Sequence, residues 1–423
     1  MISSPTPSSP TRLRKGAERH LAQALIVVGG VLFATHAQAH GEVDDALPPE
    51  PGIRWDAAAA LRSLKADNTL PSTRLDGYLL QGDAGMNPDG TQLEHGAIGL
   101  AARLNNTWGA RLLIGKHGGE SAEVEEAWVQ ARRDADNGDV WRMSAGRQRP
   151  AMGATLAGAG HFDRFGLMPL AQRAALDHHW VDDGLQLSWR RYRASTWSVD
   201  MGLWRGKGFP GSAEGPWVPS LHLGWGRGPW QADVLWAGFR PGGRGASVSS
   251  SEDHSHGAPV CDARFTEVIC FAGDSQLLAA SLSWSGLASD AALPLTLTAA
   301  GWWRNEDGTL TSANGLADYR GSSRGGWLEA IWHMAPGWEL GWRGERLSAS
   351  HRLHGPGASL LMREARFDRY QPVTRHALMV GSRLAPWARW TAEVGRESVP
   401  GSSHPYAAVR LLLQANGGHE ARP

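Results

Sequence analysis

From residue 75 onward the chain reads as short runs in which apolar and polar side chains alternate. A period of two is the mark of strands that turn one face to an apolar phase and the other to water. The clearest example covers residues 123–153, where two such runs fold back on each other at Asn137-Gly138. Asn-Gly supplies the positive φ angles a tight hairpin requires. Beyond it the alternation stops, and residues 149–178 form a connection of about thirty residues, well above the usual length.

The whole pattern resolves into about sixteen runs of about 8 to 13 residues, the reach of a tilted strand across a bilayer. The first run is residues 75–82 and the last residues 406–415; among those between are residues 276–286, 293–304 and 325–334. Connections after even-numbered runs are short (Asn105-Asn106-Thr107, Arg227-Gly228-Pro229, Ala385-Pro386), whereas most of the others are long and rich in Gly, Ser, Pro and charge. Trp108, Trp141, Trp197, Trp230, Trp338 and Trp387 each fall within a few residues of a short turn. Indole rings gather at membrane interfaces. The expected fold is therefore all-β: a transmembrane antiparallel β-barrel of about sixteen strands with short periplasmic turns and long extracellular loops. Alternation sends Leu340, Trp342, Trp390, Val394, Val409 and Leu411 outward, and Glu339, Arg343, Glu345, Arg389, Thr391, Glu393 and Arg410 inward. Such an interior is polar and of both signs.

Composition agrees. The chain has 53 Gly and 21 Trp among 423 residues and is only 42% hydrophobic, too polar for helical spans and too rich in Trp for an ordinary soluble domain. A soluble sandwich or propeller is the competing architecture, but no blade-like repeat is visible. At the start, Arg12, Arg14, Lys15 and Arg19 precede an apolar stretch, residues 21–33, and Ala37-Gln38-Ala39 offers a small-residue cleavage site. Residues 1–39 thus read as a signal peptide. Residues 40–74, Pro-rich and then helix-favouring between Arg54 and Ala66, read as a periplasmic extension; residues 75–415 read as the barrel and 416–423 as a tail. Cleavage leaves the chain slightly acidic, with no global field to attract nucleic acid. The expected location is the bacterial outer membrane, with its lipid as one partner.

Within the hairpin, Val124-Glu125-Glu126-Ala127-Trp128-Val129-Gln130 precedes the turn, and Gly146-Arg147-Gln148-Arg149-Pro150-Ala151-Met152-Gly153 closes the second strand. This pair of motifs resembles the porin family that includes the phosphate-selective outer-membrane porins. The resemblance implies that the loop after the fifth strand folds into the lumen and narrows it, and that the protein forms a homotrimer. On that basis His161, Asp163 and Arg164 are constriction candidates; the charge that a solute would meet at the narrowest point adds Arg142, Arg147, Arg149, Arg190, Arg343, Arg389 and Arg410 as pore-lining candidates. The chain departs from the phosphate-selective pattern in having only four lysines, Lys15, Lys65, Lys116 and Lys207, and no aromatic residue closing its last strand. With inward carboxylates such as Glu125, Asp233 and Glu339 beside these arginines, weak selectivity for small hydrophilic solutes or ions is the expectation.

A second chemistry lies in residues 241–275, which contain His254, His256, Cys261 and Cys270. Histidine and carboxylate suit zinc or copper, although the spacing matches no closed site. Two cysteines in one loop of an exported chain read better as a disulfide, Cys261 with Cys270. No Gly-flanked serine elbow or His-Glu-x-x-His pattern is present, and no cofactor or enzymatic role is expected. The mature chain is also too short for a larger barrel with a plug domain. Three readings remain: a passive channel, a zinc-linked uptake channel using the His-containing loop, and a non-conducting surface barrel.

Overall fold

The computed structural model describes residues 47–67, 69–80, 89–118, 121–158, 163–177, 179–247, 261, 268–288, 294–334 and 337–420. They contain seventeen strands, sixteen of which close an antiparallel barrel. In chain order the wall strands are β1 (Gly52–Ala66), β2 (Gly90–Arg103), β3 (Trp108–Lys116), β4 (Glu123–Asp134), β5 (Asp139–Gln148), β6 (Asp182–Tyr192), β7 (Thr196–Trp204), β8 (Val218–Arg227) and β9 (Trp230–Phe239). They continue as β11 (Val268–Ser285), β12 (Leu295–Ser312), β13 (Gly315–Met334), β14 (Trp338–His354), β15 (Val373–Ala385), β16 (Ala388–Val399) and β17 (Ser402–Glu420). The four-residue β10 (Arg244–Ser247) only prolongs β9 along β11. Each wall strand pairs with its sequence neighbour, and β1 closes the ring against β17. Closure leaves no open edge, which a wall in lipid requires because hydrocarbon offers no partner for a free N–H or C=O.

Alternation sorts the two faces. Along β17, Tyr406, Ala408, Arg410 and Leu412 are buried inside while Val409 is exposed outside. The outer surface carries Ile98, Leu112, Leu187, Leu223, Leu278, Leu328 and Leu378, all exposed. The six tryptophans beside the periplasmic turns are 37–50% exposed, as a girdle on the lipid face demands.

The N-terminal boundary differs from expectation. Residues 52–66 are neither a helix nor a periplasmic extension but the first wall strand, in register with β17 from Gly52↔Glu420 to Ala66↔Tyr406. Its alanines and leucines favour a helix in isolation, yet backbone pairing on both sides overrides a propensity worth only a few tenths of a kcal/mol per residue, about 0.7 at most for ordinary residues. Residues 75–80, expected as the first strand, instead follow the short helix α1 (Pro71–Arg74) and lie buried, with Leu75, Tyr78 and Leu80 packed on Leu170, Leu347 and Val373. At the other end, residues 416–420 continue β17 rather than form a tail. The expected signal segment lies outside the described residues, as do His161, His254 and His256.

The strands β11–β13 are longer than the alternation indicated, at 18, 18 and 20 residues. The polar stretch 305–324, read as an outer loop, is a hairpin turning at residues 313–314, which carries the wall beyond the apolar band. Cys261 and Cys270 are joined in a disulfide with Cα atoms 5.3 Å apart.

The face assignment is testable at Leu378, 54% exposed midway along β15. Leu378→Arg should lower folding stability in bilayers by about 2–4 kcal/mol, the cost of a cation on the lipid face near the midplane. Urea unfolding followed by Trp fluorescence measures it, and an unchanged midpoint would mean that Leu378 does not face lipid.

Candidate functional site

The hairpin formed by β4 and β5 delivers the chain into the barrel. Gly153 has φ +82° and lies so close to Asp233 of β9 that a Cβ there would be 2.1 Å from the carboxylate carbon. Only glycine satisfies both demands. Two short helices follow, α2 (Ala154–Gly158) and α3 (Leu170–Leu176). Leu156, Ala171, Ala175 and Leu176 pack on Trp180, Trp204, Leu235, Phe239, Leu277 and Trp302, the last four from the inner faces of β9, β11 and β12. Every residue of α3 is buried.

Between the helices, residues 163–168 form an irregular, bent stretch against the opposite wall. They have no sheet neighbour, so their carbonyls are taken by arginines projecting inward. Arg410 Nη1 donates to the carbonyls of Asp163 (3.0 Å) and Phe165 (2.8 Å), Arg62 to Gly166 (3.3 Å), Arg343 to Leu167, and Arg375 to Met168 (2.8 Å). The amides are met in kind: Glu345 accepts from Leu170 N at 2.7 Å and Glu393 from Gly166 N. Phe165 fills an apolar recess of Ile331, Ala377 and Met379, with the Arg343 guanidinium 4.3 Å from its ring centroid.

Those arginines are themselves neutralised. Arg343 pairs with Asp163 at 2.8 Å and Glu345 at 3.1 Å, Arg375 with Glu345 at 3.1 Å and Glu397 at 2.6 Å, and Arg410 and Arg62 share Glu94 at 2.7 and 3.1 Å. Buried charge is tolerated when paired and hydrogen-bonded, and removing one partner is costly. A second cluster joins Arg164 of the segment to Glu339 (3.2 Å), which also holds Arg389 (2.6 Å). Loop residues 70–80 are held in the same manner: Glu397 accepts from Ser72, while Arg173 and Arg304 donate to the carbonyls of Thr73 and Tyr78, each at 2.8 Å.

The candidate residues therefore divide. Asp163, Arg164, Arg343, Arg389 and Arg410 belong to this junction. Arg190 lies on another face of the lumen, where Asp200 joins it (2.9 Å) to His222 (2.8 Å), and His222 reaches Asp233 at 3.1 Å. Arg142 is buried on the inner face of β5. Arg147 is a correction: it is on the outer face with Trp141 and Met143, paired opposite Ala127 and 3.9 Å from Asp183. Five positions separate it from Arg142, so a period of two puts the two arginines on opposite faces. Arg149 binds Glu125 at 3.2 Å.

Sequence reasoning missed Arg62, Glu94, Arg375 and Glu397. The alternation of β1, with Trp55 and Leu61 outward against Asp56 and Arg62, held the signal for the first of these. Also missed was a β-bulge in β4, where the register against β3 shifts between Leu113 and Ile114. It turns both Glu125 and Glu126 inward, which strict alternation forbids.

No family model and no curated protein matches this chain. Solved structures do resemble it. OmpT of Vibrio cholerae in its trimer form aligns with TM-score 0.52 at 10% identity over 86% of this chain and all of that one. OprB of Pseudomonas putida gives 0.51 at 11% identity, covering 86% and 94%. An anion-selective porin from Comamonas acidovorans gives 0.50 at 10%, covering 86% and 98%. At such identities the likeness is one of fold, and the phosphate-selective branch is not distinguished by it. The chain has a porin-like outer-membrane barrel fold, and it belongs in the bacterial outer membrane.

Proposed function

We propose that the protein is a passive diffusion channel for small hydrophilic solutes or ions. The observation that carries this reading is the segment 163–176, docked by wall arginines inside the barrel rather than projecting from it. The segment runs along the inner faces of β9, β11–β17 and β1, so the solute path lies beside β2–β8. That half presents Arg103, Arg111, Arg142 and Arg190, with Gln130, Ser144, Gln186, Glu126 and Asp200 among them. Towards its periplasmic end a cavity of about 540 Å³ is bounded by Arg190, Ser198, Asp233 and Ser283. Cations and carboxylates alternate along this path, which favours weak charge selectivity over recognition of one solute.

Assembly as a homotrimer belongs to the same reading; OmpT of Vibrio cholerae is one neighbour solved in a trimer form. Passage through such a lumen requires no bond-making residue. Solute size is limited by the docked segment, and charge by the arginines and carboxylates facing it.

Planar-bilayer recordings test the proposal. Folded protein should open discrete channels, and replacing residues 154–176 by a short Gly-Ser bridge should raise their conductance. A folded protein that never conducts would favour the non-conducting surface barrel, and unchanged conductance after the replacement would remove the segment from the path. Arg343→Met should destabilise the fold by about 3–5 kcal/mol, because Asp163 and Glu345 lose a shared buried cation. The same variant should add open-channel noise. A variant as stable and quiet as the parent would mean that Arg343 does not anchor the segment.

A further inference from the structure

The bulge in β4 brings Glu125 onto the lumen face beside two histidines that the channel reading does not use. His95 of β2 and His117, which follows β3, occupy neighbouring positions on adjacent strands, with rings stacked at 4.5 Å between centroids. Glu125 Oε1 lies 2.5 Å from His95 Nε2 and 3.9 Å from His117 Nε2. One ligating atom from each of the three residues falls within 4.8 Å of the others. We propose that His95, His117 and Glu125 form a binding site for a divalent transition ion of the zinc type in the lumen wall.

Three features support the assignment beyond the donor set. Gly115 stands where any side chain would collide with the carboxylate: a Cβ there would be 1.8 Å from Glu125 Oε1. The glycine thus clears the space that the ligand occupies. Glu125 Oε2 is engaged separately by Arg149 at 3.2 Å, which orients the carboxylate and leaves Oε1 directed at the two imidazoles. A partner on the second oxygen is the usual way a ligating carboxylate is held. Finally, His95 and Glu125 are buried while the His117 side chain is 25% exposed, so the site opens on one side. Two histidines and one carboxylate with an accessible remaining position are a common zinc ligand set, as are its bond lengths of about 2.0–2.2 Å. Around a tetrahedral ion those lengths set ligand atoms about 3.3 Å apart. The His95–Glu125 contact has to open slightly and His117 to swing inward, movements confined to side chains.

The site is distinct from His254 and His256. Zn²⁺ binding to the purified, folded full chain, measured by equilibrium dialysis, tests the assignment, with Co²⁺ absorption reporting the ligand geometry. His117→Ala, at the more accessible position, should weaken Zn²⁺ by more than about a hundredfold, beyond the 10–100-fold that loss of an outer-shell partner usually costs. Glu125→Gln should do the same, and the double variant His254→Ala/His256→Ala should bind as the parent does. Heat-dependent migration on gels checks that each variant is folded. If Glu125→Gln fails to fold, His117→Ala and His117→Gln decide the matter. The proposal is overturned if folded parent protein binds no Zn²⁺, if His117→Ala retains parental affinity, or if binding is lost with His254 and His256 instead.

Discussion

A strand in a closed barrel finds its hydrogen bonds in its neighbours, but a loop that enters the lumen leaves that network behind. Each carbonyl and amide it carries inward must be satisfied there, since a buried polar group without a partner costs about 1–3 kcal/mol. In this protein the wall supplies the partners. Arg62, Arg343, Arg375 and Arg410 take five carbonyls between Asp163 and Met168, and Glu345 and Glu393 take two amides. A guanidinium suits this role because its planar fork serves a carboxylate and a carbonyl together. Arg343 does so, binding Asp163, Glu345 and the Leu167 carbonyl at once. The same solution recurs where residues 70–80 enter, through Glu397, Arg173 and Arg304.

The docked segment and the proposed channel would thus be two consequences of the charges on one wall. Arginines that hold the segment are buried and neutralised, so they contribute shape rather than field. In the proposed channel, the charge a solute meets would come from the other half of the wall, where Asp200 stands between Arg190 and His222. Apolar packing completes the division of labour. Helices α2 and α3 rest on a patch of Trp, Leu and Phe from β9, β11 and β12, an apolar seat for an inserted loop.

Most of the wall was legible in the sequence because lipid and lumen impose opposite demands on successive side chains. Where that contrast weakened, so did the reading. In β1, four consecutive alanines lie on both faces, and composition there favoured a helix over the strand that β17 and β2 impose. In the hairpin of β12 and β13, charge and glycine look the same in a loop and in a strand standing in water. The exit of the β4–β5 hairpin into the lumen was visible from its motif. Its anchors, Arg62, Glu94, Arg375 and Glu397, were not, because they come from distant strands and only closure brings them together. The bulge at Glu125 was hidden for a related reason: one extra residue reverses the face of everything beyond it, and only the register of β3 reveals where it falls.

The docked segment is most directly tested by a cross-link to the wall. A Cβ at Gly166 would be 3.3 Å from that of Ala408 on the inner face of β17, close to the separation a disulfide spans, about 3.5–4.5 Å. The double variant Gly166→Cys/Ala408→Cys, oxidised in folded protein and mapped by proteolysis and mass spectrometry, should show the two positions joined in high yield alongside the Cys261–Cys270 bond. Recovery of both introduced thiols unlinked from folded protein would contradict the account, because it would place the segment away from the wall whose arginines are held to anchor it.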